Sequence, residues 1–123
     1  MSGRPVLEPT TEHPITVSPT GRHVTVTVNG AVIAETDEAI TLQEADYPAV
    51  QYIPLRDVND SALVCSDTTS YCPYKGDAAY YHVNAAGETV EDAIWTYGQP
   101  YPAVGAIAGH VAFYPDKADV TIG

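Results

Sequence analysis

Basic residues are scarce in this sequence of 123 residues: five Lys and Arg stand against sixteen Asp and Glu, and the formal net charge is −11. Nucleic-acid binding draws most of its affinity from clustered Lys and Arg that contact phosphates, and anionic membrane surfaces attract the same clusters. So few scattered cations exclude a nucleic-acid interface and a membrane-surface patch. We interpret the acidity as a solubility feature rather than as an acidic docking face.

Long apolar runs are also missing. The longest is far shorter than the roughly 20 residues that a membrane-spanning helix needs. Residues 1–12 are polar and lack the apolar segment of a secretory signal. We therefore expect a cytoplasmic protein, in which Cys65 and Cys72 are reduced, although their spacing would permit a disulfide after export.

Patterns that bind metals are absent as well. The two cysteines form no C-x-x-C motif. The histidines never fall in a spacing such as H-x-H or H-x-x-x-H; they are His13, His23, His82 and His110. The sequence therefore predicts no metal site.

What the sequence does contain is a series of short segments separated by turn residues. Residues 23–28 alternate apolar and polar side chains, so Val24, Val26 and Val28 would share one buried face. The following Asn29-Gly30 predicts a tight hairpin, because both residues tolerate positive φ. Further strands are predicted over residues 31–34, 39–42, 50–54, 78–83, 93–97, 110–114 and 119–122, the last two as a hairpin.

Two short helices complete this prediction, over residues 57–63, where Asp57 could be the N-cap, and over residues 103–108. About eight strands at short intervals are typical of an antiparallel β-sandwich or barrel. We predict a single mainly β domain over residues 13–123, preceded by a flexible arm over residues 1–12.

Phenylalanine and tryptophan occur once each, whereas tyrosine occurs nine times. Nine of the eleven aromatic residues lie between Tyr71 and Tyr114. Aromatic rings fill the cores of β-sheets, but each tyrosine hydroxyl needs water or a hydrogen-bond partner, as it finds in a partly hydrated pocket. The sequence leaves both interpretations open, a core and a binding pocket.

The segment Cys72-Pro73-Tyr74-Lys75-Gly76 lies within this aromatic cluster. Lys75 could pair with Asp57 or Asp77, bind an anionic ligand, or act as a desolvated, reactive amine. Cys72 could be a small buried hydrophobe, or a nucleophile in the positive field of Lys75 with a histidine as its base. We keep Cys72 and Lys75 as candidate catalytic residues. The bases considered for Cys72 are His82 and His110.

Arg56 and Lys75 are the only Lys or Arg residues between His23 and Lys117. They could form a small anion site, or Arg56 could simply pair with a carboxylate. Glu44 could be a general base, but a solvated charge at the end of a strand is favoured. The candidate ligand-binding residues are Tyr52, Arg56, Asp57, Tyr74, Lys75, Trp95 and Tyr97.

Several short motifs together resemble the family known as domain of unknown function 427, DUF427. They are His13-Pro14-Ile15, Glu44, Tyr52-Ile53-Pro54 with Arg56-Asp57-Val58, Cys72-Pro73-Tyr74-Lys75-Gly76, Tyr80-Tyr81, Trp95-x-Tyr97-x-x-Pro100, and Ile107-Ala108-Gly109 with Ala112-Phe113-Tyr114. The resemblance implies a β-tent, in which β-sheets meet at an angle over a pocket, as in methionine sulfoxide reductase B. The zinc site of several β-tent proteins needs four cysteines, and this chain has two.

The DUF427 family is sometimes labelled nucleotidyltransferase-like. Nucleotidyl transfer uses paired carboxylates to hold Mg²⁺ on a triphosphate. This chain has no D-x-D pair and no Gly-Ser phosphate turn. No metal or nucleotide cofactor is therefore predicted.

Three functions are compatible with the sequence. The first is binding of a small polar or anionic molecule in a pocket lined by Tyr and Trp. The second is an enzyme that uses Cys72 or Lys75 in the same pocket, and the third is a protein-interaction module with a Tyr-rich face. Binding is favoured, because rings and sparse cations account for the composition without an assembled catalytic geometry.

Overall fold

The computed structural model describes residues 4–123, which fold mainly into β-strands. The strands are β1 (Ile15–Pro19), β2 (Val24–Val28), β3 (Ala31–Thr36), β4 (Ile40–Glu44), β5 (Val50–Pro54), β6 (Leu63–Cys72), β7 (Gly76–Ala85), β8 (Glu88–Tyr97), β9 (His110–Phe113) and β10 (Asp119–Ile122). Short 3-10 segments stand at Leu55–Asp57, Asp60–Ala62 and Pro102–Ile107, where the sequence predicts its two helices.

The strands form two sheets in which all pairings are antiparallel. The large sheet has seven strands in the order β1-β4-β5-β9-β8-β7-β6, and the small sheet has three in the order β10-β2-β3. Within residues 4–123 the two edge strands of the large sheet, β1 and β6, do not pair with each other. The predicted mainly antiparallel β fold is confirmed, and it is sandwich-like rather than a closed barrel.

The β2–β3 hairpin forms where the sequence predicts it. Val24, Val26 and Val28 are fully buried, whereas the residues between them are not. Asn29 and Gly30 have φ values of 51° and 81°, as a two-residue turn of the I′ type requires. The alternation of apolar and polar residues and the Asn29-Gly30 turn are therefore sufficient to identify this part of the small sheet.

The predicted hairpin of residues 110–114 and 119–122 is wrong. β9 pairs with β5 and β8 inside the large sheet, whereas β10 pairs with β2 at the edge of the small sheet. Val111, Ala112 and Phe113 are all buried, and a strand that is buried on both faces belongs in the interior of a sheet. β10 is exposed along its whole length, which suits an edge.

Two strands and one helix cap also differ from the prediction. Both strands are sheet edges: β1 alternates only two apolar residues, Ile15 and Val17, and β6 has no regular apolar alternation. The second 3-10 segment is capped by Asn59, whose side chain accepts a hydrogen bond from the Ser61 amide, and Asp57 is not its cap.

The large sheet separates two apolar clusters, because successive residues of a strand point to opposite faces. On one face, Ile53, Ile94 and Val111 pack against the valines of β2; we call this cluster the inter-sheet core. On the other face their neighbours in sequence, Tyr52, Trp95 and Ala112, form part of a second cluster, which we call the aromatic face. Its remaining members are Ile15, Val17, Ile40, Leu42, Val50, Cys72, Ala78, Tyr80, Tyr97, Val104 and Ile107.

The described part of the predicted arm, residues 4–12, contains no strand, and residues 1–3 lie outside the described residues. Arg4 forms an ion pair with Asp77 at 2.8 Å, and the Leu7 amide donates to the Pro73 carbonyl at 2.9 Å. These contacts place the segment beside the β6–β7 turn. Its flexibility stays a prediction.

Candidate functional site

A cavity of about 590 Å³ lies over the aromatic face. Its walls come from the end of β4, the β4–β5 loop, β5, the β6–β7 turn, β7, β8, the end of β9 and the edge strand β10. The aromatic residues that line it are Tyr47, Tyr52, Tyr80, Trp95, Tyr97, Phe113 and Tyr114. Among the described residues, Glu44 and Lys75 alone bring charge to this lining. A largely apolar concavity with a few polar groups is the usual form of a small-molecule site.

Tyr52 and Trp95 pack together at the base of this cavity. The indole Nε1 of Trp95 donates to the Tyr52 hydroxyl at 3.2 Å, and the two rings meet edge to face with centroids 6.3 Å apart. Tyr52 is 1% exposed, and burial raises the pKa of its hydroxyl to about 12. The ring of Tyr114 lies against Trp95 with a centroid distance of 4.5 Å. These contacts hold the indole in one orientation.

Tyr97 presents a hydroxyl without a partner. It lies two residues after Trp95 on the same face of β8, and the residue is 8% exposed. Its hydroxyl forms no hydrogen bond with any residue of the range 4–123. Every side-chain N or O atom in this range that is sealed from solvent has a hydrogen-bond partner, so the Tyr97 hydroxyl is not sealed. The hydroxyl therefore keeps access to the cavity. Burial, followed by the electrostatic effects of Tyr52 and Cys72, raises its pKa, so it is protonated at neutral pH.

Lys75 is positioned by the turn between β6 and β7. Cys72 and Gly76 pair across this turn, and the Lys75 amide donates to the Cys72 carbonyl at 3.2 Å. Gly76 has a φ of +111°, and a Cβ there would stand 3.4 Å from the Gln99 carbonyl, so the conformation favours glycine. The Lys75 carbonyl accepts from the Tyr101 amide at 3.0 Å. The Cys-Pro-Tyr-Lys-Gly motif is thus a well-anchored turn.

The side chain of Lys75 ends in a partly buried ion cluster with Glu44 and His13, which we call the ion cluster. Its Nζ lies 2.5 Å from Oε1 of Glu44, and Oε2 of Glu44 lies 2.8 Å from Nε2 of His13. The Lys75 and Glu44 side chains are only 11% and 14% exposed. Burial tends to raise the pKa of Glu44, but the hydrogen bonds from Lys75 and His13 outweigh it and hold the pKa below its ordinary value. Glu44 is therefore a carboxylate at neutral pH.

Sequence reasoning favours a solvated charge for Glu44, and this interpretation is wrong. Glu44 is 31 residues from His13 and 31 residues from Lys75 in the chain. No local pattern joins residues at such a separation. β4 reaches this end of the sheet because it pairs with β1 and β5, so the ion cluster is a product of sheet order.

Cys72 is half-buried at the end of β6, beside this ion cluster. Its Sγ lies 3.9 Å from Nζ of Lys75. The two histidines considered as bases are engaged elsewhere: Nδ1 of His82 accepts from the Asp92 amide at 3.0 Å, and Nδ1 of His110 lies 2.9 Å from the Ala108 carbonyl. In the range 4–123, neither histidine forms a hydrogen bond with Cys72. Lys75 is the basic group in contact with the thiol.

Arg56 and Asp57 lie away from the cavity, beside a separate shallow depression formed with β3. Arg56 pairs with Glu38, and both side chains are more than 60% exposed, at 64% and 70%. Asp57 accepts a hydrogen bond from Oγ1 of Thr36 at 2.7 Å. Arg56 and Lys75 therefore lie in different parts of the structure and do not form the predicted anion site.

Tyr74 also lies outside the cavity lining. Its ring stacks on His13 with a centroid distance of 4.3 Å and an interplanar angle of 8°. It therefore supports the ion cluster from the side. The candidate ligand-binding residues that do meet at the cavity are Tyr52, Lys75, Trp95 and Tyr97.

A protein-family model matches most of the chain, over residues 16–123, and describes a domain of unknown function, DUF427. The chain belongs to the DUF427 family. The resemblance drawn from the sequence motifs is thereby confirmed. No functionally curated protein matches this DUF427 sequence.

Two general features of this DUF427 domain bear on its chemistry. Residues 4–123 contain no group of three or more His, Cys, Asp or Glu side chains placed to hold a metal ion. No helix in this part of the chain has the length and hydropathy needed to cross a bilayer.

Proposed function

We propose that this DUF427 domain binds a small molecule with a polar group in the cavity over the aromatic face. The observation that carries the proposal is the combination of a cavity of about 590 Å³ with an unpaired hydroxyl on the nearly buried Tyr97. The hydroxyl is open to the cavity, so a ligand with a polar group can replace water as its hydrogen-bond partner.

The walls of the cavity support the same proposal. The half-buried rings of Tyr80, Trp95 and Tyr114 offer apolar surface that a ligand can cover. Stacking between rings restricts their motion, so little conformational entropy is lost on binding. The Lys75–Glu44 pair adds a polar end to an otherwise apolar site.

The test is a thermal-shift screen against a library of small metabolites, with a variant that obstructs the cavity. Ala49 is an exposed residue of its wall, and Ala49→Phe should weaken the affinity for any hit at least about tenfold and so reduce its thermal shift. Ala103→Phe is the matched control, because Ala103 is also exposed but does not line the cavity. A screen without hits, or a hit that Ala49→Phe leaves unchanged, contradicts the proposal.

An enzyme is the second candidate, and the distance of 3.9 Å between Cys72 and Lys75 favours it. An adjacent ammonium stabilises a thiolate, which is the nucleophilic form of cysteine. Cys72→Ser separates the two functions. In a binding domain it leaves ligand stabilisation intact, whereas in an enzyme it abolishes turnover of the bound compound while the fold remains.

A further inference from the structure

Two polar groups at the cavity, the Tyr97 hydroxyl and the Lys75 ammonium, have hydrogen-bond donors to offer. The Tyr97 hydroxyl is protonated and has no partner within residues 4–123. The ammonium of Lys75 carries three N–H groups, of which one points to Glu44 at 2.5 Å and one to the Cys72 sulfur at 3.9 Å. Both carboxylate oxygens of Glu44 are engaged, by Lys75 and by His13. Tyr97 and Lys75 can therefore each donate a hydrogen bond to an acceptor oxygen of a ligand.

The charges at the cavity are already compensated. Lys75 is the only cation in the lining among residues 4–123, and Glu44 neutralises it at close range. An anionic ligand would lose its hydration without meeting an uncompensated cation, and the net charge of −11 would repel it. A cationic ligand would be repelled by the Lys75 ammonium, and the charge of Glu44 is already shared between Lys75 and His13.

The remaining surface is aromatic and aliphatic. Trp95 cannot serve as a further donor, because its indole N–H is used by Tyr52. The Tyr80 hydroxyl is hydrogen-bonded to Oγ of Ser70 at 2.7 Å, so Trp95 and Tyr80 offer mainly ring surface to a ligand. A flat apolar body fits such walls.

We propose that the ligand of this cavity is a neutral molecule with a flat apolar body and an uncharged acceptor oxygen, such as the carbonyl of a ketone or an ester, which the Tyr97 hydroxyl binds. This inference rests on the proposed binding function and specifies the chemical class of its ligand.

Four probes that share a phenyl ring test the inference: acetophenone, ethylbenzene, benzoate and benzyltrimethylammonium. Trp95 is the only tryptophan, so its indole N–H gives a single resonance that reports on the cavity. Titrations followed by this resonance should show acetophenone binding about three- to tenfold more tightly than ethylbenzene, the range that one neutral hydrogen bond supplies. Benzoate and benzyltrimethylammonium should bind more weakly than acetophenone.

Tyr97→Phe provides the matched variant. It should reduce the affinity for acetophenone to that for ethylbenzene and leave ethylbenzene unchanged. Tyr74→Phe makes the same chemical change outside the cavity, and it should alter neither affinity. The four-probe comparison on the unmodified protein stands even if a variant folds poorly.

The outcomes separate this inference from the proposed function. If acetophenone binds and Tyr97→Phe has no effect, the acceptor assignment is wrong while binding stands. If benzoate or the ammonium probe binds most tightly, neutrality is wrong. If no probe moves the Trp95 resonance and the metabolite screen also finds nothing, both the inference and the proposed function fail.

Discussion

The two faces of the large sheet are both apolar, but they differ in chemistry. The inter-sheet core is built largely from Val, Ile and Ala, with Phe113 and the part-buried Tyr81 among its few rings. The aromatic face carries Tyr52, Tyr80, Trp95 and Tyr97, and it borders the Lys75–Glu44 pair. Excluding water needs only aliphatic side chains, whereas tyrosine hydroxyls and an ion pair must each be hydrogen-bonded or hydrated. This difference in chemistry is the reason for which the proposed binding function is assigned to the aromatic face.

The same contrast separates the two cations in the middle of the chain. Lys75 is held in the ion cluster at the cavity, whereas Arg56 forms an exposed pair with Glu38 on another side. An exposed ion pair contributes little to stability, because solvent screens it. The two cations therefore differ in their exposure to solvent, and this difference favours Lys75 over Arg56 as part of the proposed site.

The largest effect is expected in the inter-sheet core. Ile94→Ala removes a fully buried side chain and should lower the free energy of unfolding by about 2–5 kcal/mol. Ligand affinity should not change, because Ile94 points away from the cavity. Urea unfolding measures the free energy of unfolding, and a ligand titration measures the affinity. Val64→Ala, at an exposed position of β6, is the control and should have little effect; an equal loss in both variants would contradict the assignment of the core.

Alkaline pH should destabilise the aromatic face. Burial raises the pKa of Tyr52 to about 12. In the unfolded chain a tyrosine ionises near pH 10, so between roughly pH 10 and 12 the unfolded state has lost a proton that the folded state retains. Stability therefore falls as pH rises through this window, by about 2–3 kcal/mol for Tyr52 alone.

Urea unfolding at several pH values checks this expectation. Tyr52→Phe removes the ionisable group and should make the decline shallower. A slope that is the same in Tyr52→Phe and in the unmodified protein would show that Tyr52 is not the source.

Breaking the ion cluster should have an intermediate effect. Lys75→Met leaves the Glu44 carboxylate largely desolvated with His13 as its one remaining partner, and we expect a loss of about 1–3 kcal/mol. Arg56→Met breaks the exposed pair with Glu38 and should change the stability by less than about 1 kcal/mol. If Lys75→Met and Arg56→Met lower the free energy of unfolding equally in thermal or urea unfolding, Lys75 contributes no more to stability than the exposed Arg56.

The smallest effect is expected at Tyr97. Its hydroxyl has no partner within residues 4–123, so Tyr97→Phe breaks no hydrogen bond in the protein. The free energy of unfolding should change by less than about 0.5 kcal/mol. Tyr52→Phe is the matched comparison and should cost about 1 kcal/mol, because it leaves the Trp95 indole N–H without its acceptor. A large loss in Tyr97→Phe would mean that the hydroxyl serves the fold.

Much of the fold could be predicted from local patterns. β5 was predicted with its observed bounds, and the alternation of β2 and the Asn29-Gly30 turn identified a whole hairpin. β1 was not predicted because its alternation of Ile15 and Val17 with polar residues is too short, and β6 because this edge strand has no apolar period. The pairing of β9 and β10 was mispredicted because proximity in the chain does not decide which sheet a strand joins.

At the candidate site, local sequence patterns were enough to identify a local excess of tyrosine, one tryptophan, and a lysine in a Cys-Pro-Tyr-Lys-Gly turn. The fold was needed to show that Glu44 and His13 complete the cluster with Lys75, and that Arg56 does not. The difference lies in the distance along the chain over which each kind of information acts. Side-chain alternation and turn residues act over a few positions, whereas sheet order and strand register, which bring distant charges together or keep them apart, depend on how the whole chain buries its apolar surface.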